Sequence, residues 1–534
     1  MQFTGDMSKP SPFHNGAPGA RRAEQTFYAG YFQDEWRMRP NLTMSYGLRY
    51  EYFSVLREAQ DRAVIFDTVR GILLPPSTPF YRSSRANMGP RLAFSWSPKG
   101  LENRTVLRIG AGYYYGPGQT EDLLQPIESD RVTVLLGPGA AYPIDPPAIQ
   151  AAYDINDSNL RYQPRAYAPG YRIPERILSY TLSLQQQLPL NALLTVGYVG
   201  SQGRNLFLRS IANRIIGVDT EARTGRAIIH REFGDRFAEV DMKTSGGNDN
   251  YNALQVSLNR RFNRGLTVST QWSWGHSIGT SAGSNEARTS QDPYNFRAER
   301  GNNNFDVRHS FNLSALYALP FFNDHRLLGG WEIGGLINAR TGLPVDVNIQ
   351  RNDVVYVDQG TGLVHNQPVL AGGRPVSVAV INTPGGGASR NVRRPDLVAG
   401  VSPFLTGGGR TSFLNPAAFA MPAPGLYGNL ARNVLHGPGL AQMDITLQKK
   451  IPLSEKVILE FRGELYNLFN RANFANPPSL LANALGTGLN RIQPGQAFTE
   501  AASGGAFGVL NRTVERTVGL GTSRQAQLSL RLTF

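Results

Sequence analysis

The last ten residues, Gln525 to Phe534, constrain this chain most. They read QAQLSLRLTF, and every second residue is apolar: Ala526, Leu528, Leu530, Leu532 and Phe534. Gln525, Gln527, Ser529, Arg531 and Thr533 stand between them. Successive side chains of a strand point to opposite faces, so this segment has one apolar and one polar face. Bare in water, such a strand would be an unprotected edge. A closed barrel in a bilayer removes the difficulty, with the apolar face on lipid and the ladder groups paired.

The same alternation recurs upstream as strand, short turn and strand. Tyr28–Met38 leads through Arg39-Pro40-Asn41 into Leu42–Phe53. Arg91–Trp96 leads into Thr105–Tyr115, Leu178–Leu188 into Ala192–Gly200, and Tyr251–Phe262 into Leu266–Ser277. Asp306–Leu319 leads into Leu327–Arg340, and Ala441–Ile451 into Glu455–Phe469. The terminal segment stands alone, for about thirteen strands in all. Long Gly/Pro/Asn-rich stretches separate these units, at about 54–87, 116–175, 201–249, 278–304, 342–438 and 470–522. Short turns alternating with long loops are the habit of a membrane barrel, with the long loops outside the cell. The expected fold is all-β: a transmembrane antiparallel barrel portion over 25–534, after an irregular segment, 1–24. An odd strand count leaves one strand without its partner, since bacterial barrels of one chain close with even numbers.

Composition narrows the alternatives. No stretch approaches the ~20 apolar residues of a helical span. Cysteine is absent, which removes disulfides and thiolate chemistry. The net charge is +14, but its Lys and Arg are scattered without a basic run, so no nucleic-acid partner is expected. The first residues, MQFTGDMSKPSPFHNG, lack the basic and apolar regions of an export signal. The expectation is that the chain is the carboxyl-terminal portion of something longer.

Motifs of reaction chemistry lose to plainer readings. Gly279-Thr-Ser-Ala-Gly283 matches G-x-S-x-G, but a nucleophile elbow needs a strand before it and a helix after it. Here a Gly/Ser-rich loop follows. Gly110, Gly112 and Gly116 miss the dinucleotide spacing and sit in a strand pattern. The seven histidines show no metal-ligand spacing. Asp154-Ile-Asn-Asp-Ser-Asn159 offers oxygens for Ca²⁺ but lacks the glycine and distal Glu of an EF-hand loop. No catalytic residue, cofactor or metal is expected. Glu460, Arg462, Glu464 and Arg531 fall on the polar parity and are candidate lumen-facing charges. They grip a plug, line a solute path, or pair with each other across neighbouring strands.

Several stretches together resemble the barrel of a TonB-dependent outer-membrane receptor, and more closely the Oar-like group. They are YFQDEWRMRPNLTMSYGLRYE (31–51), YNALQVSLNRRFNRGLTVSTQWSWGHS (251–277), DVRHSFNLSALYALPF (306–321), ARTGLPVDV (339–347), YGNLARNVLHGPGLAQMDITLQKKIPL (427–453) and FRGELYNLFNRANFANP (461–477). Members of that group typically join a carboxypeptidase-regulatory-like domain, a plug and a large barrel. The resemblance implies a Gram-negative outer membrane and about thirteen strands of a probable 22-stranded barrel. It implies solute uptake, with TonB acting through a plug that this chain does not encode, and a solute it does not name. It also implies that Phe534 is read by the barrel-assembly machinery. The alternative is an outer-membrane structural or surface-interaction protein that binds partners or glycans without transport.

Overall fold

The computed structural model describes residues 6–10, 22–61, 63, 65–75, 77–101, 104–118, 131–135, 165–234, 237, 239–261, 265–281, 290–320, 325, 329–384, 392–405, 411–454, 457–515 and 519–534. Thirteen strands pair antiparallel in chain order. They are β1 (Phe27–Arg39), β2 (Leu42–Phe53), β3 (Met88–Trp96), β4 (Thr105–Gly116), β5 (Glu175–Leu188), β6 (Ala192–Ala212) and β7 (Val240–Arg261). They continue as β8 (Leu266–Gly279), β9 (His309–Ala318), β10 (Trp331–Arg340), β11 (Leu440–Pro452), β12 (Ile458–Tyr466) and β13 (Gln525–Thr533). Every run expected from alternation contains one of these strands, within the described residues. β1 and β13 end the sheet and do not pair with each other, so it is open. No described helix is long and apolar enough to cross a membrane.

The register carries one parity across the whole sheet. Trp36 faces Met44, Met44 faces Phe94, and Phe94 faces Ile109. Ile109 faces Leu182, Leu182 faces Tyr198, and Tyr198 faces Leu254. Leu254 then faces Trp274. Farther on, Leu313 faces Ile337, Ile337 faces Met443, and Phe461 faces Leu530. This face is apolar and stands open: Ile109 is 51% exposed and Leu530 69%. All five tryptophans, Trp36, Trp96, Trp272, Trp274 and Trp331, lie on it. Trp36, Trp96, Tyr317 and Trp331 stand near the short turns; Tyr28, Tyr52, Tyr113 and Trp274 stand toward the long loops. Two aromatic belts around an apolar band are the arrangement that bilayer interfaces favour. A soluble sandwich would bury this face; here it is the outer surface.

Two cations of the apolar face, Lys449 and Arg260, sit at the short-turn end, and Arg176 stands at the long-loop end beside the Tyr113 ring. Lys449 lies opposite Trp331, donates to the Gly329 carbonyl, and holds Nζ 5.3 Å from the Trp331 ring centroid. Arg260 Nε donates to Leu190 O at 3.2 Å, a carbonyl in the β5–β6 turn. Each side chain lays its apolar stem along the band and takes its charge to the rim.

The long-loop end departs from the expected plain loops. β6 and β7 have 21 and 22 residues, roughly 70 Å at ~3.3 Å per residue, against an apolar band ~25 Å tall. Residues 201–212 and 240–249 are therefore strand, although expected as loop. Above the band neither face meets lipid, so alternation has no reason to persist there. Asp6–Pro10, expected to be irregular, pairs antiparallel with Arg131–Leu135, and Ala23–Glu24 pairs with Arg57–Glu58.

Changing Leu313 to Arg puts a charge in the apolar band and is expected to cost about 2–4 kcal/mol. Ser314→Arg, on the polar face, is expected to cost about 0.5 kcal/mol or less. The fraction migrating as folded protein on unheated gels, from membranes carrying each variant, measures the difference.

Candidate functional site

The polar face of β1–β6 forms a trough of about 860 Å³. Its floor is small: Ser45 faces Ala93, Ala93 faces Gly110, Gly110 faces Thr181 and Thr181 faces Val199. Its walls include Tyr31, Arg49, Arg91 and Tyr114. The Arg91 guanidinium carbon lies 4.4 Å from the Tyr114 ring centroid, and Arg49 Nε is 2.9 Å from Glu51 Oε1. Gly110 and Gly112 belong to this floor and Gly116 ends β4, in strand rather than in a phosphate-binding turn.

Glu460, Arg462 and Glu464 project from one face of β12, and Arg531 shares that face on β13. Glu460 stands opposite Arg531 in register, but the ion pair that forms runs along β12, Arg462 Nη2 to Glu464 Oε1 at 2.9 Å. The Tyr466 hydroxyl donates to Glu464 Oε2 at 2.9 Å. The pair is half exposed and is worth about 0–1 kcal/mol. Phe534 follows the end of β13 at the short-turn end and is 92% exposed.

The remaining candidates are dispersed. Gly279 ends β8, Ser281 follows it, and Gly283 lies outside the described residues, as do Asp154–Asn159 and His14. His230 Nε2 lies 2.9 Å from Asp219 Oδ2, His276 Nε2 lies 3.1 Å from Asn302 Oδ1, and His309 stacks on Trp272 and Trp274. Among the described residues no group of three or more His, Asp or Glu is placed to hold a metal ion.

The larger surprise is a cap over the long-loop end. Loop segments 341–439 and 467–524 share one hydrophobic core, with Val347, Phe419, Met421, Leu481 and Phe498 fully buried. Three of the segments that carry the resemblance, 339–347, 427–453 and 461–477, meet here. Pro344-Val345 pairs with Leu435-His436, and Asn476 Nδ2 donates to Pro344 O at 2.8 Å. Gly342 packs so tightly on Gly437 that a Cβ would lie 1.7 Å from the Gly437 carbonyl oxygen.

A buried ionic latch ties the 280–308 loop to this core. Arg394 grips Glu299 with two hydrogen bonds, Nη2 to Oε2 at 2.6 Å and Nη1 to Oε1 at 3.1 Å. Its Nε lies 3.6 Å from Asp346 Oδ1. Arg432 donates to Thr280 O at 3.2 Å and Gly301 O at 3.0 Å, and Arg351 to Leu426 O at 2.7 Å and Ala423 O at 2.6 Å. Burial pulls the pKa of both Arg351 and Arg432 down to about 10. Burial also pushes Glu299 upward, but the hydrogen bonds and charge of Arg394 more than reverse it, leaving Glu299 below its ordinary value. Sequence reading missed these residues. The one local hint was Arg393-Arg394, charges placed together inside a long loop.

Glu299→Gln leaves Arg394 buried with half its compensation and is expected to cost the cap about 3 kcal/mol. Faster proteolysis within 341–439, at unchanged folded-barrel content, is the readout. Glu299 is more acidic folded than unfolded. Its contribution is complete above the ordinary 4.5 and fades as pH falls through the depressed value, so protection is expected to weaken in acid.

No curated protein matches this chain in sequence. Solved structures similar to it include the FrpB iron transporter from Neisseria meningitidis, with 11% identity over 96% of this chain and 46% of that one, at a TM-score of 0.43. The siderophore receptor PirA from Acinetobacter baumannii matches with 10% identity over 84% and 42%, at 0.40. The outer membrane transporter YddB from Escherichia coli matches with 9% identity over 86% and 43%, at 0.40. The chain spans less than half the length of each of these. The model of the outer membrane beta barrel domain matches residues 7–527. With its open apolar face, its aromatic belts and a match over nearly its whole length, the chain belongs to the outer membrane beta barrel domain family.

Proposed function

We propose that this chain is the barrel portion of a TonB-dependent outer-membrane transporter of the Oar-like type. The observation that carries the reading is the two-faced open sheet: thirteen strands hold an apolar face outward and leave a polar wall on the other side. In lipid each unpaired backbone group costs several kcal/mol, so the free edges of β1 and β13 call for further strands. The polar face, Glu460, Arg462, Glu464 and Arg531 included, then lines a lumen. The long-loop end faces outward, where the cap meets the solute first. Energy enters through TonB acting on a plug held against the polar wall, and no bond is made or broken. The Oar-like assignment is supported by the sequence resemblance alone, and three of the segments that carry it, 339–347, 427–453 and 461–477, build the junction between cap and strands.

The ordered cap favours one second reading, a surface-interaction protein that binds partners without transport. Uptake through the intact gene product decides between them. Uptake is expected to fall to background in cells without TonB; uptake that persists there favours the second reading. Phe534 is proposed as the residue read by the barrel-assembly machinery. Its deletion is expected to lower the amount of folded chain in the outer membrane several-fold, measured by the heat-sensitive gel band, with synthesis unchanged.

A further inference from the structure

The polar wall is unevenly charged. On β1–β4 and β11–β13 it carries ionised side chains in mid-strand, such as Arg49, Arg91, Asp444 and Arg462. On β5–β10 ionised groups occur only at the ends. Glu175, Asp249 and Arg340 stand at the long-loop end, and Glu332 at the short-turn end. The stretch between them is built of Ser, Thr, Asn and Gln with a few small or apolar residues.

One row of this wall is continuous. Gln185 faces Thr195, Thr195 faces Ser257, and Ser257 faces Gln271. Gln271 faces Asn312, Asn312 faces Asn338, and Asn338 faces Gln442. Seven neighbouring strands thus each contribute one neutral hydrogen-bonding side chain at the same level. At ~4.8 Å between strands the row is roughly 29 Å long. Strands of such barrels tilt by ~35–45°, so a row at right angles to them climbs roughly 17–20 Å through the membrane. The side chains of Thr195, Ser257, Gln271, Asn312 and Asn338 form no hydrogen bond with any described residue. Gln271 and Asn312 are exposed, and the other three are half-buried.

We propose that this row is the contact surface for an uncharged, hydroxyl-rich solute of the oligosaccharide class, which passes along it through the barrel. The inference rests on the transporter reading given above. Hydroxyls and amides both donate and accept, so each can exchange a water for a sugar hydroxyl at little net cost. No fixed charge in the middle of the row has to be desolvated or can trap an ion. A charged chelate would want the opposite: ionised side chains placed along the path, as pores for ions have. The ladder spacing offers a new, nearly equivalent partner every ~4.8 Å, and a chain of repeating sugar units can use such partners in turn.

The experiment compares radiolabelled maltopentaose and ferric citrate in cells carrying the full-length protein and in cells lacking it. Protein-dependent uptake of maltopentaose, without protein-dependent uptake of ferric citrate, is expected. The double variant Asn312→Leu/Asn338→Leu is expected to lower that uptake at least tenfold, at an unchanged heat-sensitive folded band. Asn312→Gln/Asn338→Gln keeps the amides and is expected to retain most of it, which guards against a purely structural effect. Unchanged uptake by the leucine variant overturns the inference. So does TonB-dependent uptake of ferric citrate alone, and in that case the transporter reading stands. Maltopentaose uptake that needs the row but not TonB keeps the inference and removes the energised-transport reading. Protein-dependent uptake of neither probe overturns both.

Discussion

Everything in this molecule depends on strand register. A strand has a side-chain period of two, and a slip of one residue exchanges its faces. Here twelve consecutive pairings hold the same parity from Phe32 on β1 to Leu530 on β13. Within the apolar band the ladders run without interruption. The irregular steps fall at the β1–β2 turn and in the upper β6–β7 hairpin, both outside the band. Lipid enforces this, because a slipped strand would present Arg462 or Glu464 to hydrocarbon. The penalty for error is paid strand by strand, so the parity of one hairpin fixes that of the next.

The two ends are stabilised differently. At the short-turn end Lys449 and Arg260 bind turn carbonyls and mark the lower boundary of the apolar band. At the long-loop end lipid has no influence, and the chain builds a core of its own around Phe419, Met421 and Leu481. The Arg394–Glu299 pair then fastens a third loop to that core. Removing water from the pair is costly, so it holds only because two hydrogen bonds and the nearby Asp346 compensate it.

Strand positions were legible in the sequence because lipid imposes alternation directly on residues such as Leu528, Leu530 and Leu532. The upper β6–β7 hairpin was not, since residues 201–212 and 240–249 carry no apolar stripe and are joined by backbone bonds and by polar contacts such as Arg209 with Asp241. The latch was hidden for another reason: Arg394 and Glu299 are 95 residues apart, and the neighbouring Arg393 marks a charged spot without naming its partner. Parity placed Glu460, Arg462, Glu464 and Arg531 together on one face, and the register agrees. Which of them pair depends on rotamers, and the bond runs along β12 instead of across to β13. The neutral row is legible only after pairing, because Gln271, Asn312 and Asn338 become neighbours through two pairings, β8 with β9 and β9 with β10.

The placing of all five indoles on the outer face has an optical consequence. Intrinsic emission from this protein arises almost wholly where side chains touch acyl chains and headgroups. Its colour and its quenching by brominated lipid therefore report insertion depth, strand by strand, while events on the polar face pass nearly unseen. A fluorescence titration that stays flat carries no information about occupancy of that face.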